Sequence, residues 1–177
     1  GGDPFHAGGT HFANRDDPEW RIIADWIGGA NSRRPPSEVV VRIIQTSAAG
    51  DDSYVIDPQN NKVVAVIDDI EIPHGITSAP DGSQLYFSNE VLHSLDIVDA
   101  RTLRVKRRIP LSGRPNNVSI SKDGRKVYVA IREMPGAVDI IDTLLMKNIK
   151  SVPTEGPIHN VYVTPDGKHA VAGSIQT

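Results

Sequence analysis

Asp-Gly recurs at nearly equal steps along this chain, as Asp81-Gly82, Asp123-Gly124 and Asp166-Gly167, 42 and then 43 residues apart. A second marker keeps the same beat: an apolar pair closed by aspartate ends at Asp57, at Asp99 and again at Asp142. Two independent markers in one register establish an internal repeat. A period of this length restricts the chain to folds that stack one supersecondary unit on the next.

Each unit reads as a set of hairpins. Asp-Gly between alternating apolar segments is a strong turn signal, because glycine takes positive φ without steric cost. In Lys126–Ile131 the residues Val127, Val129 and Ile131 share one face, and Tyr128 and Ala130 share the other. The segments Val118–Ser121, Lys126–Ile131, Ala137–Asp142 and Asn148–Pro153 then predict four short strands joined by tight turns. Four strands per repeat of this length is the pattern of a β-propeller blade. Such a sheet carries two apolar faces, so neighbouring blades must cover it.

The repeats Asn117–Arg132 and Asn160–Ser174 resemble the YVTN-type β-propeller repeat. The signature tetrapeptide appears loosely, in Leu85–Glu90 and Val127–Arg132, and the resemblance runs from Arg42 to the end of the chain. It implies a mainly β fold and leaves activity open, because function resides in sites rather than folds. Arg42–Asp57 fits the second and third strands of an earlier blade with no identifiable first strand. About three four-stranded blades are expected, the final one stopping after about two strands. Closed propellers need at least four blades, so the sequence reads as a piece of a longer protein. Its uncovered blade faces would favour self-association.

The first thirty residues stand outside the repeat. Asp17 as N-cap, Pro18 at the first helical position and Gly28 at the stop predict a short N-terminal helix. Trp20, Ile23, Ala24 and Ile27 form its apolar face, widened by Ile22 and Trp26. Residues 31–38 are polar and proline-rich and read as a linker, which places the propeller at residues 39–177. Residues 1–30 resemble the C-terminal tail of planctomycete and acidobacterial cytochrome c-like domains, through His6, Gly8, Gly9, Trp26, Ile27, Gly29 and Ala30. That resemblance implies haem c in a full-length parent and His6 as an axial ligand there. The alternative is that His6 caps a neighbouring backbone group in a turn. The chain has 0 cysteines, so it cannot attach a c-type haem covalently by itself, and no cofactor is expected in this piece.

Within the repeats, His74, Asn116 and His159 each stand seven residues before an Asp-Gly. That position immediately precedes the innermost strand, so the three should gather at one mouth of the central channel. A ring of polar side chains there suits a metal ion, an anion or a small polar ligand. Two imidazoles can ligate a transition metal, asparagine being a poor third ligand, and Arg114 adds a preference for anions. The competing reading has each side chain bond backbone at the turn into its own strand. Asp57, Asp99 and Asp142 suit side-chain bonding into the following turn.

Other classes find little support. The net charge is −3, with no basic block suited to nucleic acid and no apolar stretch long enough to span a membrane as a helix. The basic run Arg101–Arg108 alternates on what should be an outermost strand, where charge discourages edge-to-edge aggregation. The sequence thus points to a binding or scaffolding propeller that docks a protein or a small polar ligand. The two family resemblances imply a periplasmic or extracellular, haem-linked protein. An oxidoreductase with a substrate or metal site at the mouth, and a lyase using mouth histidines, are the alternatives.

Overall fold

The computed structural model describes residues 41–174, which form strands and turns only. The expected helix, the linker and His6 lie outside the described residues. Thirteen strands follow in order: β1 Ile43–Thr46, β2 Ser53–Asp57, β3 Lys62–Ile67, β4 Pro73–Ser78, β5 Gln84–Asn89, β6 Ser94–Asp99 and β7 Arg104–Pro110. Then come β8 Pro115–Ile120, β9 Lys126–Ile131, β10 Gly136–Asp142, β11 Lys147–Thr154, β12 Ile158–Val163 and β13 Ala170–Ser174. They pair into four antiparallel meanders, β1-β2-β3, β4-β5-β6-β7, β8-β9-β10-β11 and β12-β13. Two sheets therefore have the full four strands, where about three were expected. Aligned by the repeat, β1 is a second strand, which leaves the first sheet three strands among the described residues.

The sheets are arranged radially. The first strands β4, β8 and β12 lie against one another in sequence order, whereas the last strands β7 and β11 meet at only a few residues. Sheets that touch along one edge and spread at the other fan around an axis. Three apolar clusters fill the gaps between them. Val55, Ile67, Ile70, Leu85 and Phe87 pack where the first sheet meets the second. Tyr86, Leu95, Ile97, Val127, Val129 and Ile131 join the second to the third. Ala130, Val138, Ile158 and Val161 join the third to the fourth. The alternation of β9 is what divides Val127, Val129 and Ile131 from Ala130 between two clusters. Each fully buried aliphatic side chain contributes about 1.5–3 kcal/mol.

The turns repeat in atomic detail. Gly82, Gly124 and Gly167 have φ of 71°, 72° and 70°, and each amide donates to the carbonyl three residues earlier, on Ala79, Ser121 and Thr164. Asp81 accepts from the Ser83 amide at 3.0 Å, Asp123 from Arg125 at 3.1 Å and Asp166 from Lys168 at 3.1 Å. Asp57, Asp99 and Asp142 likewise accept amides of the turns that follow them. A bulge recurs between third and fourth strands, at Val55/Ile56, Ile97/Val98 and Ile140/Ile141, where it sharpens the twist of the outer edge. As expected of the basic run, β7 is an edge strand with Arg104, Lys106 and Arg107 exposed.

The turn hydrogen bonds carry a pH signature. The Ser83 amide holds the Asp81 carboxyl below 3.8, and the hydroxyls of Ser121 and Thr164 do the same for Asp123 and Asp166. A carboxyl depressed on folding stabilises the fold fully above its unfolded value and loses that contribution as pH falls through its folded value. The melting temperature should therefore hold above 3.8 and decline below it. Calorimetry across that window checks this, and Asp123→Asn should flatten the decline; an unchanged slope would remove the turn carboxylates as its source.

Candidate functional site at the inner end of the blades

The inner ends of β4 and β8 carry a cluster of charged side chains that joins two sheets. His74 is the second residue of β4, and Arg114 immediately precedes β8. Glu90 follows the last residue of β5, and Arg132 follows the last residue of β9. Main-chain bonds fix their positions: the Glu90 amide donates to the Glu71 carbonyl at 3.1 Å, the Arg132 amide to the Arg114 carbonyl at 2.9 Å, and the His74 amide to Ser88 Oγ at 3.2 Å.

Glu90 is buried and both of its carboxylate oxygens are engaged. Oε1 accepts from Arg114 Nη2 at 2.6 Å. Oε2 meets Arg132 Nη1 at 3.3 Å and also the Nε2 of His74. Arg132 Nη1 lies 3.1 Å from that same imidazole nitrogen. One carboxylate thus ties a histidine of its own sheet to two arginines of the next. Glu133 stands apart from this group, its Oε1 accepting the Arg114 amide at 3.1 Å.

Of the residues expected at the channel mouth, His74 and Arg114 are brought together through Glu90. Asn116 is buried, 5% exposed, while His159 is exposed on β12. One residue along, Asn117 Oδ1 accepts the Val161 amide at 3.1 Å and ties β8 to β12, a bond between sheets rather than one at the turn into its own strand. No group of three or more histidine, cysteine, aspartate or glutamate side chains suited to a metal ion occurs among the described residues. Sequence reasoning missed Glu90 and Arg132. Both stand eight residues after the turn glycine of their repeat, so aligning the repeats would have exposed an acid and a base at one position.

Glu90→Gln should cost about 1 kcal/mol of stability, a modest loss because both arginines are a third to a half exposed. Urea unfolding reads this directly, and an unchanged midpoint would show that the carboxylate contributes nothing to holding the two sheets together.

No protein-family model and no curated protein sequence matches this chain. Solved structures do. Kuenenia stuttgartiensis hydrazine synthase superposes with a TM-score of 0.66 at 25% identity, over 81% of this chain and 47% of that one. Dihydro-heme d1 dehydrogenase NirN in complex with DHE gives 0.62 at 19% identity, over 80% of this chain and 32% of that one. The likeness is one of fold, and the name of the second neighbour includes a heme. The described sheets are β-propeller blades. The chain spans about half the length of the first of these neighbours and a third of the second.

Proposed function

We propose that this chain belongs to a haem-associated binding propeller. YVTN-type blades hold a small polar ligand or a docking partner at the channel mouth, in an exported bacterial protein that also carries a cytochrome c-like electron-transfer domain. The observation that carries this reading is the cluster on Glu90, where two arginines and a histidine converge at the inner end of adjacent blades. Such convergence of charged groups, part buried and part open to solvent, is the chemistry of a recognition site.

The haem side of the reading is supported by the heme in the second neighbour's name and by the likeness of residues 1–30 to a cytochrome c-like tail. The residues of this chain do not fit covalent attachment of haem, for want of cysteine. The group would belong to the remainder of the cytochrome c-like domain, with His6 as a candidate axial ligand. When bound it supplies one-electron transfer. The parent protein purified from its host should give Soret and α bands in a reduced-minus-oxidised spectrum, and His6→Ala should alter the low-spin features. A spectrum without those bands overturns the haem association and leaves a binding propeller.

A second reading makes the parent an oxidoreductase with its substrate at the mouth. Both neighbours bear the names of enzymes, a synthase and a dehydrogenase. Substitution of Arg132 separates the two: an oxidoreductase loses turnover with its haem reduction intact, whereas a binding protein loses only its ligand.

A further inference from the structure

We infer that the channel mouth takes the anionic end of its ligand, a carboxylate or phosphate group, on the open N–H edges of Arg114 and Arg132. This rests on the mouth-binding reading above and names the chemical class that such a site would select.

The first ground is donor accounting. A guanidinium presents five N–H donors in a rigid fork. Glu90 engages Arg114 through Nη2 and Arg132 through Nη1. The Nε–H and the remaining Nη group of each arginine make no hydrogen bond within the described residues. The side chains are 50% and 35% exposed, so both arginines remain open to solvent beside Glu90. Two forks held beside one another suit a planar carboxylate or a tetrahedral phosphate, the groups that arginine binds in bidentate fashion.

The second ground is charge. Where the described residues form arginine ion pairs on β7, each guanidinium has at least one carboxylate of its own: Arg104 pairs with Asp68, and Arg108 with both Asp69 and Asp96. At the mouth one carboxylate serves two guanidinium groups. Glu133 is committed to the Arg114 amide at 3.1 Å and forms no ion pair with either guanidinium. The cluster formed by Glu90, Arg114 and Arg132 therefore keeps a unit of positive charge even with His74 neutral.

The third ground is rigidity. Glu90 is 7% exposed in its side chain and uses both oxygens, so it acts as an internal strut rather than as a competitor able to swing away. Holding the two guanidinium groups in place before binding reduces the side-chain ordering that binding would otherwise cost.

The test is a titration of the isotope-labelled full chain, following the arginine Nε–H resonances. Inorganic phosphate and succinate are the anionic probes, glycerol and tetramethylammonium the neutral and cationic ones, at constant ionic strength in chloride. Arg114 and Arg132 should shift saturably with phosphate, succinate or both, which also separates phosphate from carboxylate as the preferred source. Arg114→Gln should weaken that response roughly tenfold. Arg114→Lys, which keeps the charge and loses the fork, should fall between, and Arg107→Gln on β7 should change nothing. A linear response identical to that of chloride overturns the inference, as does wild-type affinity in Arg114→Gln. Saturable binding of glycerol or tetramethylammonium alone overturns the anionic class and leaves the mouth-binding reading standing. Silence toward all four probes, from a chain whose spectrum is folded, counts against both.

Discussion

Gly75→Ala is expected to lower stability by about 3 kcal/mol and the melting temperature by roughly 6–12 °C. Gly75 lies within β4, where a methyl group would stand 2.8 Å from the Asn116 carbonyl oxygen, the Asn117 Cα and the Val118 nitrogen. All three belong to the backbone of β8, so no side chain can swing aside to make room. The inner strands of two blades must separate, or β4 must shift and disturb the 2.8 Å bond from the Gly75 amide to Ser88 Oγ. Gly82 is the instructive contrast, since its added methyl would meet nothing within 4 Å. Gly82→Ala should lose only about 1 kcal/mol, from backbone strain at positive φ. Thermal and urea unfolding of the two variants decide the matter. If Gly75→Ala melts within a degree or two of Gly82→Ala, the close approach of the inner strands is wrong.

Asp96→Ala is expected to have an effect of similar size, about 3 kcal/mol, for a different reason. Asp96 is fully buried in β6. It accepts from Asn89 Nδ2 at 2.9 Å, Ser94 Oγ at 2.5 Å and Arg108 Nε at 3.2 Å. Truncation strands two buried donors, each at the cost of an unsatisfied polar group. Arg108 suffers less, because it keeps Asp69 at 2.7 Å. The repeat partner Asp139, also fully buried, accepts from the amide and hydroxyl of Ser112, both at 2.7 Å; Ser112 is exposed, so water can replace the lost acceptor and Asp139→Ala should lose less. Equilibrium unfolding of the pair, with Asp96→Asn as the shape-conserving control, ranks them. Equal losses from all three variants would refute the role given to Asn89 and Ser94.

These two positions mark where the sequence was legible and where it was not. The period, the strands and the turn aspartates could be read directly, because Asp-Gly and alternating apolar residues act on their own neighbours. Val127, Val129 and Ile131 separate from Ala130 as the pleat of β9 requires, and Asp99 bonds the amides of Arg101 and Thr102 in the turn that follows. The buried aspartates were less legible. Asp96 and Asp139 recur in the repeat, yet nothing local distinguishes them from the turn aspartates three residues later. Only the packing of both faces of a sheet buries one set and leaves the other partly open to solvent.

The candidate site divides in the same way. The spacing of His74, Asn116 and His159 follows from the repeat; it put all three just before the inner strands, whereas each is the second residue of its strand. The sequence by itself therefore determined the repeating unit, the hairpin turns and which positions begin each inner strand, since these depend on interactions within a few residues. The tertiary structure alone decided that His74 meets Glu90, that Arg114 and Arg132 reach across from the next sheet, and that Asn116 is buried while His159 is exposed. Those contacts join residues separated by up to a whole repeat or more, and they exist only once one blade has stacked against another.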